Sequence, residues 1–262
     1  LLMTKRKRIT LLIIGATALV MLLCGLWLWR SMRTSNPWGA QTIGDIATPA
    51  GYSRVEASAG SYTAYLRALP LKPRGARVQL YTGGDARLQF LSTAVIDQDI
   101  LSNDEQCADV TMRLRAEYLW QKGRYQEINF RNVHGKTMRY SGGASRSAFE
   151  RYMRGVYGAC STFSLYQETK PRAIQDVMPG DVLVYPARPG RKYGHAVMVV
   201  DVARSRSGKV AIMCLEGNTP AREKHLVRNP NPLRNPWFIL NEGDEAIQIS
   251  VFRFNKDELR HY

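Results

Sequence analysis

The sequence lacks the cysteine and histidine patterns that mark metal and redox sites. It has four cysteines and four histidines in 262 residues, with no CxxC pair and no cysteine–histidine cluster at zinc spacing. We therefore predict no metal site and no bound cofactor. An internal repeat is also missing, which excludes a repeat architecture.

Acidic residues are scarce relative to basic ones. The chain has 37 Lys and Arg against 22 Asp and Glu, a net charge of +15. This balance suits a surface that faces anionic lipids or a polyanionic cell wall. The basic residues are scattered, without an aromatic-interleaved patch or a DNA-binding motif, so we expect no nucleic-acid partner. With 45% hydrophobic residues the chain can build a core.

An uncharged apolar run extends from Leu11 to Trp29. Its length matches the roughly 20 residues that cross a bilayer. Basic residues precede it, so the positive-inside rule places the N-terminus in the cytoplasm. A cleaved signal peptide is the alternative, but the end of the run lacks a small-residue cleavage site. We predict a cytoplasmic tail at 1–9, a transmembrane helix at 10–29, a juxtamembrane linker at 30–50 and an extracytoplasmic domain at 51–262.

The segment 103–120 carries the clearest helix signals. Asn103 or Asp104 can serve as the N-cap, and apolar residues follow at helical spacing. Cys107 falls in the predicted first turn, where free backbone N–H groups and the helix dipole stabilise a thiolate. Asp109, Arg113 and Glu117 are four residues apart, which predicts a stripe of alternating charge along the helix.

A possible partner for this cysteine lies downstream, in the segment 179–203. It predicts two strands with a basic loop between them, and His195 opens the second strand directly after Gly194. A third strand follows and ends near Glu216 and Asn218. A cysteine nucleophile needs a base, and the base needs an orienting group. We predict Cys107 as nucleophile, His195 as base, and Glu216 or Asn218 as the orienting residue.

Each of these residues also has a purely structural interpretation. Cysteines on helices are often small buried residues, and Cys160, in a predicted long helix 147–168, is better explained by burial. Cys214 lies within an apolar strand, and any two of these three cysteines could pair as a disulfide. Gln106 could donate to an oxyanion, as could the backbone N–H of Cys107, and His225 could line a cleft.

The remaining pattern completes an α+β fold. Alternating residues predict a hairpin formed by 125–132 and 137–140. Strands are predicted at 181–185, 195–202 and 209–215, with final strands at 237–240 and 247–254. The fold expected is two main helices against a largely antiparallel sheet.

Several segments resemble one bacterial family. QCADVTMRLRAEYL at 106–119, GDVLV at 180–184 and GHAVMVVDVA at 194–203 are similar to the domain-of-unknown-function family numbered 4846. The resemblance implies that Cys107, His195 and His225 stand at motif positions, while Glu216 stands where the family pattern has glutamine. It also implies a membrane-associated protein, here with its C-terminal domain in the periplasm.

A looser resemblance is to the NlpC-type and CHAP-type amidohydrolases of the papain-like group. These also place a cysteine at a helix N-terminus and a histidine on a following strand, which implies a papain-like arrangement of helices and sheet. One hypothesis is therefore a membrane-anchored cysteine hydrolase that cleaves an amide or peptide bond of the cell envelope. The alternative is a non-catalytic protein that binds an envelope partner or cell-wall fragment on a papain-like scaffold.

Overall fold

The computed structural model describes residues 5–262, which begin with the long helix α1, Lys5–Arg33. Within this helix the side chains at 5, 8, 11 and 27–33 lie outside the described part, as do residues 1–4 of the predicted cytoplasmic tail. Among the described residues, no helix has the length and apolar character needed to span a bilayer.

Four helices follow α1, and strands come before, between and after them. The helices are α2 Tyr62–Arg67, α3 Cys107–Gln121, α4 Arg146–Ala159 and α5 Thr162–Glu168. The strands are β1 Tyr52–Arg54, β2 Ser92–Val95, β3 Asn129–Arg131, β4 Thr137–Arg139, β5 Lys170–Pro171, β6 Val182–Tyr185, β7 His195–Ser205, β8 Val210–Glu216, β9 His225–Val227, β10 Trp237–Leu240, β11 Ala246–Ile249, β12 Phe252–Asn255 and β13 Leu259–His261.

A nine-stranded antiparallel sheet organises the domain, with β7 and β8 at its centre. The main order is β2-β9-β8-β7-β6-β13-β5, and β1 and β10 pair with β7 and β8 respectively. The long strand β7 can hold two neighbours on one edge: its first half pairs with β6 and its last residues pair with β1. The prediction of an α+β fold with a largely antiparallel sheet is confirmed.

The central strands alternate between two apolar cores. Ala196 and Met198 of β7 pack in the cluster that contains the helices, whereas Val197 and Val199 pack in the cluster beneath β11 and β12. This is the period-two pattern of a strand with both faces covered. The short hairpins β3–β4 and β11–β12 form separate two-stranded sheets.

The structure corrects two predicted helices. α3 begins at Cys107 with Gln106 as its N-cap, rather than at Asn103 or Asp104. The predicted long helix at 147–168 is instead two helices, because α4 ends at Ala159 with Cys160 as its C-cap, and the side chain of Ser161 caps α5 by accepting from the N–H of Phe163. Cys160 therefore stands at a helix end and not in a helix interior.

Candidate functional site

Cys107 is the first residue of α3, at the helix end that faces the sheet. Gln106 donates its backbone N–H to Oδ2 of Asp109 at 3.0 Å, which fixes the start of the helix. The end of β8 lies against this turn: a Cβ on Gly217 would be 2.6 Å from Cγ2 of Val110. The close approach brings the C-terminal end of β8 next to the cysteine.

His195 and Glu216 meet because of the pairing between β7 and β8. Val199 lies opposite Cys214, and continuing this register places Glu216 opposite Val197, two residues from His195 on the same face of the sheet. Nε2 of His195 lies 2.8 Å from Oε2 of Glu216. Both side chains are buried, with 6% and 2% of their surface exposed. Glu216 is thus the residue that binds the His195 ring.

A second histidine holds the other oxygen of Glu216. His225 lies directly opposite Glu216 across the β8–β9 pair, and its Nε2 is 3.3 Å from Oε1. Its Nδ1 lies 2.8 Å from the carbonyl oxygen of Glu223. Because a carbonyl only accepts hydrogen bonds, Nδ1 is the donor there. Both ring nitrogens of His225 therefore face oxygen atoms, which fixes the orientation of the ring.

These contacts determine the charge states of the site. Burial alone would raise the pKa of Glu216, but its hydrogen bonds with His195 and His225 outweigh burial and lower the pKa to about 2. Burial lowers the pKa of His195, yet hydrogen bonds with the Cys107 thiol and with Glu216 raise it to about 9. Since Nε2 is bonded to Glu216, Nδ1 is the ring nitrogen that remains for the thiol. At neutral pH the site thus contains a carboxylate and a protonated His195.

Packing on both sides of this segment holds His195 and the glycine before it in place. Phe252 of β12 stacks on it, with 3.7 Å between ring centroids and 22° between ring planes. Gly194 lets α5 approach the start of β7, because a Cβ there would lie 2.1 Å from Oγ1 of Thr162 and 2.8 Å from the carbonyl oxygen of Tyr185. The glycine before the histidine is therefore required by packing.

Cys107 and His195 line one cavity of about 650 Å³. Gln106 and Asn218 also form its wall, and Tyr193, 74% exposed, lies at its mouth. Oε1 of Gln106 accepts a hydrogen bond from Oγ1 of Thr219 at 2.7 Å, and Asn218 accepts one from the backbone N–H of Thr219. A thiol, an imidazole, an orienting carboxylate and an accessible volume beside them are the groups that nucleophilic acyl transfer requires.

The predicted binding residues take different positions. Gln106 is in the wall of this cavity, whereas His225 lines a smaller cavity of about 140 Å³ together with Glu216 and Arg222. Among the described residues, no group of three or more histidine, cysteine and acidic side chains is arranged to hold a metal ion.

Cys160 and Cys214 are in poor positions to act as nucleophiles. Burial raises the pKa of Cys160 to about 12, and its Sγ contacts the carbonyl oxygen of Arg131 at 3.5 Å. Cys214 is fully buried beneath the sheet, and burial raises its pKa strongly. All four cysteines are free, so the disulfide considered from the sequence is not formed.

The predicted charge stripe on α3 is only partly correct. Arg113 contacts Glu117 at 3.4 Å and Glu105 at 2.8 Å, and Glu105 also binds the buried Lys224 at 2.7 Å. Asp109 does not join this network. Its carboxyl group instead accepts the backbone N–H of Gln106 and so caps the helix. Asp109 also lines the cavity, together with Tyr157 of α4. Sequence spacing alone did not indicate that Asp109 and Tyr157 line the same cavity, because this depends on how α4 packs against α3.

A comparison with family profiles shows how much of the chain belongs to a known family. The profile described as Domain of unknown function (4846) matches residues 44–145 and 141–261. The chain belongs to this family. Searches of curated proteins and of solved structures found no significant match. The family spans the whole sheet and both residues of the Cys107–His195 contact, so the site lies within the family domain.

Proposed function

We propose that the protein is a cysteine hydrolase that cleaves an amide or peptide bond of the cell envelope, on a papain-like arrangement of helix and sheet. The observation that carries the proposal is that Cys107 and His195 line one cavity large enough for a peptide, with Nε2 of His195 held 2.8 Å from Oε2 of Glu216. Nucleophile, base and orienting carboxylate stand in the roles of a cysteine triad.

The reaction follows from these groups. The Cys107 thiolate adds to the carbonyl carbon of the scissile amide, and the protonated His195 gives its proton to the leaving nitrogen as the C–N bond breaks. Water then transfers a proton to His195 and attacks the resulting thioester, which releases the acid and restores the thiolate. The free N–H groups at the start of α3 and the amide of Gln106 are placed to donate to the oxyanion.

The direct test uses purified full-length protein and cell-wall peptides. The wild type should release new amine groups from these peptides, and Cys107→Ala should release none. Iodoacetamide should alkylate Cys107 faster than Cys160 or Cys214, as read by mass spectrometry of digests. Tyr152→Phe is a matched control, because this tyrosine donates to the Met138 carbonyl away from the cavity. Full activity in Cys107→Ala would exclude the proposal.

The alternative is that the same cavity binds an envelope component without cleaving it. The low exposure of Cys107, 9%, and of His195, 5%, is the observation that favours it. An unreactive Cys107 in a protein that still retains cell-wall fragments would support this alternative.

We also propose that residues 10–29 anchor the protein in the inner membrane, with the domain in the periplasm. The support is the uncharged run from Leu11 to Trp29 behind a basic tail. The protein should remain in membranes washed with alkaline carbonate and should be digested by protease added outside the inner membrane. Release by carbonate, or protection from the protease, would contradict the anchor or its orientation.

A further inference from the structure

Two buried polar atoms in the wall of the cavity have no hydrogen-bond partner among the described residues. They are Oδ1 of Asp109 and the hydroxyl oxygen of Tyr157. Asp109 is 6% exposed and Tyr157 is 5% exposed, and both line the cavity that contains Cys107. Buried polar groups without a partner cost free energy, so their presence in a binding cavity calls for an explanation.

Asp109 and Tyr157 line the same cavity, and the two side chains interact electrostatically. Burial raises the pKa of Tyr157, and the nearby carboxyl groups of Glu105 and Asp109 raise it further. Asp109 is two residues beyond Cys107 in the same helical turn, while Tyr157 comes from α4. A substrate whose carbonyl reaches the thiol would therefore place a neighbouring group next to the side chains of Asp109 and Tyr157.

The charges around this position select an uncharged group. Apart from His195, the described residues that line the cavity include no basic side chain, so nothing there matches a substrate carboxylate. Burial raises the pKa of Asp109 well above its ordinary value, and the nearby carboxyl group of Glu105 adds to this effect, so the surroundings of Asp109 disfavour its charged form. A substrate ammonium would have to be desolvated beside a buried acid whose raised pKa disfavours the carboxylate that would pair with it, which is costly.

We propose that Asp109 and Tyr157 form a subsite that hydrogen-bonds an uncharged amide group of the substrate, next to the bond that Cys107 attacks. Oδ1 and the tyrosine hydroxyl can together offer a donor to the amide carbonyl and an acceptor to its N–H. This inference rests on the proposed hydrolase function and adds a substrate class. The enzyme would cleave amide bonds within acylated peptides in preference to peptides that present a free amine at this position.

The test compares two alkylating probes with iodoacetamide. Acetyl-alanyl-alanyl chloromethyl ketone and the same probe with a free amine both lose chloride as the Cys107 sulfur bonds to the methylene carbon. The rate with iodoacetamide measures the reactivity of the Cys107 thiol alone. The ratio of each peptidyl-probe rate to the iodoacetamide rate therefore measures how well the cavity recognises the peptide part of the probe. The variants are Tyr157→Phe, Asp109→Ala and Asp109→Asn, with Tyr152→Phe on the same helix as the matched control.

The wild type should react faster with the acetylated probe than with the free amine. Tyr157→Phe and Asp109→Ala should each lower the ratio for the acetylated probe by about 3- to 10-fold, the loss expected for one neutral hydrogen bond. Asp109→Asn should recover part of that loss, since an amide keeps a donor and an acceptor, and Tyr152→Phe should leave the ratio unchanged.

Three results would overturn the subsite. Unchanged ratios in Tyr157→Phe and Asp109→Ala would show that neither oxygen recognises the probe. A wild-type preference for the free amine that disappears in Asp109→Asn would show an ionised Asp109 that binds an ammonium. A Cys107 that iodoacetamide does not modify would exclude the proposed function and the subsite together, whereas a reactive Cys107 with unchanged ratios would exclude the subsite alone.

Discussion

Glu216 lies 2.8 Å from His195, with Oε2 of the carboxylate facing Nε2 of the ring. The two residues are on neighbouring strands, and both are nearly inaccessible to solvent. This contact fixes which ring nitrogen remains for Cys107 and keeps the imidazole charged at neutral pH. A buried carboxylate of this kind orients a catalytic histidine and stabilises its protonated form.

Glu216→Gln should weaken the nucleophile without changing the fold. The amide keeps the shape but loses the charge, and a hydrogen bond to a charged group contributes about 1.5–3 kcal/mol, or roughly 10- to 100-fold in rate. The second-order rate of Cys107 alkylation by iodoacetamide at pH 7 should fall in this range. Glu245→Gln is the matched control, since Glu245 forms only an exposed pair with Lys256. Equal alkylation rates in the two variants would show that Glu216 does not act through His195.

The raised pKa of His195 predicts a stability that depends on pH. The folded-state pKa of about 9 lies above the ordinary 6.5, so the folded protein binds this proton more tightly than the unfolded chain. The stabilisation is complete below pH 6.5 and is lost as the pH rises to about 9. The midpoint temperature of thermal unfolding should therefore decrease as the pH is raised from 6.5 to about 9.

The comparison for this pH effect is His195→Gln, which cannot bind the proton. Its unfolding midpoint should fall less steeply over the same pH range. For the proposed hydrolysis, the wild-type rate should decline as the pH passes about 9, because the leaving nitrogen loses its proton donor. Parallel pH profiles of the wild type and His195→Gln would contradict the assignment.

Much of this arrangement follows from local sequence pattern. The apolar alternation that begins at His195 predicts a central strand, and the strand that ends at Glu216 predicts its neighbour. An antiparallel pairing of these two strands brings the start of one to the end of the other. The sequence pattern therefore indicated that His195 and Glu216 could meet, although it left Asn218 as an equal candidate.

What the pattern did not indicate depends on long-range packing. Phe252 reaches His195 from a strand 57 residues later, and His225 reaches Glu216 because the short β9 inserts beside β8. The break between α4 and α5 had a local signal, since Ser161 caps the second helix through its side chain. The apolar residues continue through this break, and their periodicity concealed it.

Gly194→Ala should destabilise the protein. The added methyl group would meet Oγ1 of Thr162 and the carbonyl oxygen of Tyr185, and overpacking of this kind costs about 1–3 kcal/mol. Gly158→Ala is the control of opposite sign, because its position in α4 is open and alanine favours a helix by up to about 1 kcal/mol. Urea unfolding of both variants measures these changes. A Gly194→Ala protein as stable as the wild type would show that α5 can move away without cost.

Lys224→Met should be among the most destabilising changes outside the cavity. Lys224 is fully buried, with Nζ 2.7 Å from Glu105 and 3.1 Å from the carbonyl oxygen of Asp99. Burial lowers its pKa to about 8 despite the favourable charge of Glu105, so the lysine remains mostly charged at pH 7. Removing it leaves Glu105 with Arg113 as its remaining cationic partner, and breaking a buried pair costs about 3–5 kcal/mol.

For a domain of this size, such a loss corresponds to a fall of roughly 6–15 °C in the thermal midpoint. Lys256→Met is the matched control at an exposed pair and should change stability by less than about 0.5 kcal/mol. The double variant Glu105→Gln/Lys224→Met also removes the carboxylate that has lost one of its two cationic partners, so it should recover part of the lost stability. If the double variant is instead less stable than Lys224→Met, Glu105 is held mainly by Arg113 and by the backbone N–H of Leu101, to which it also bonds at 2.7 Å.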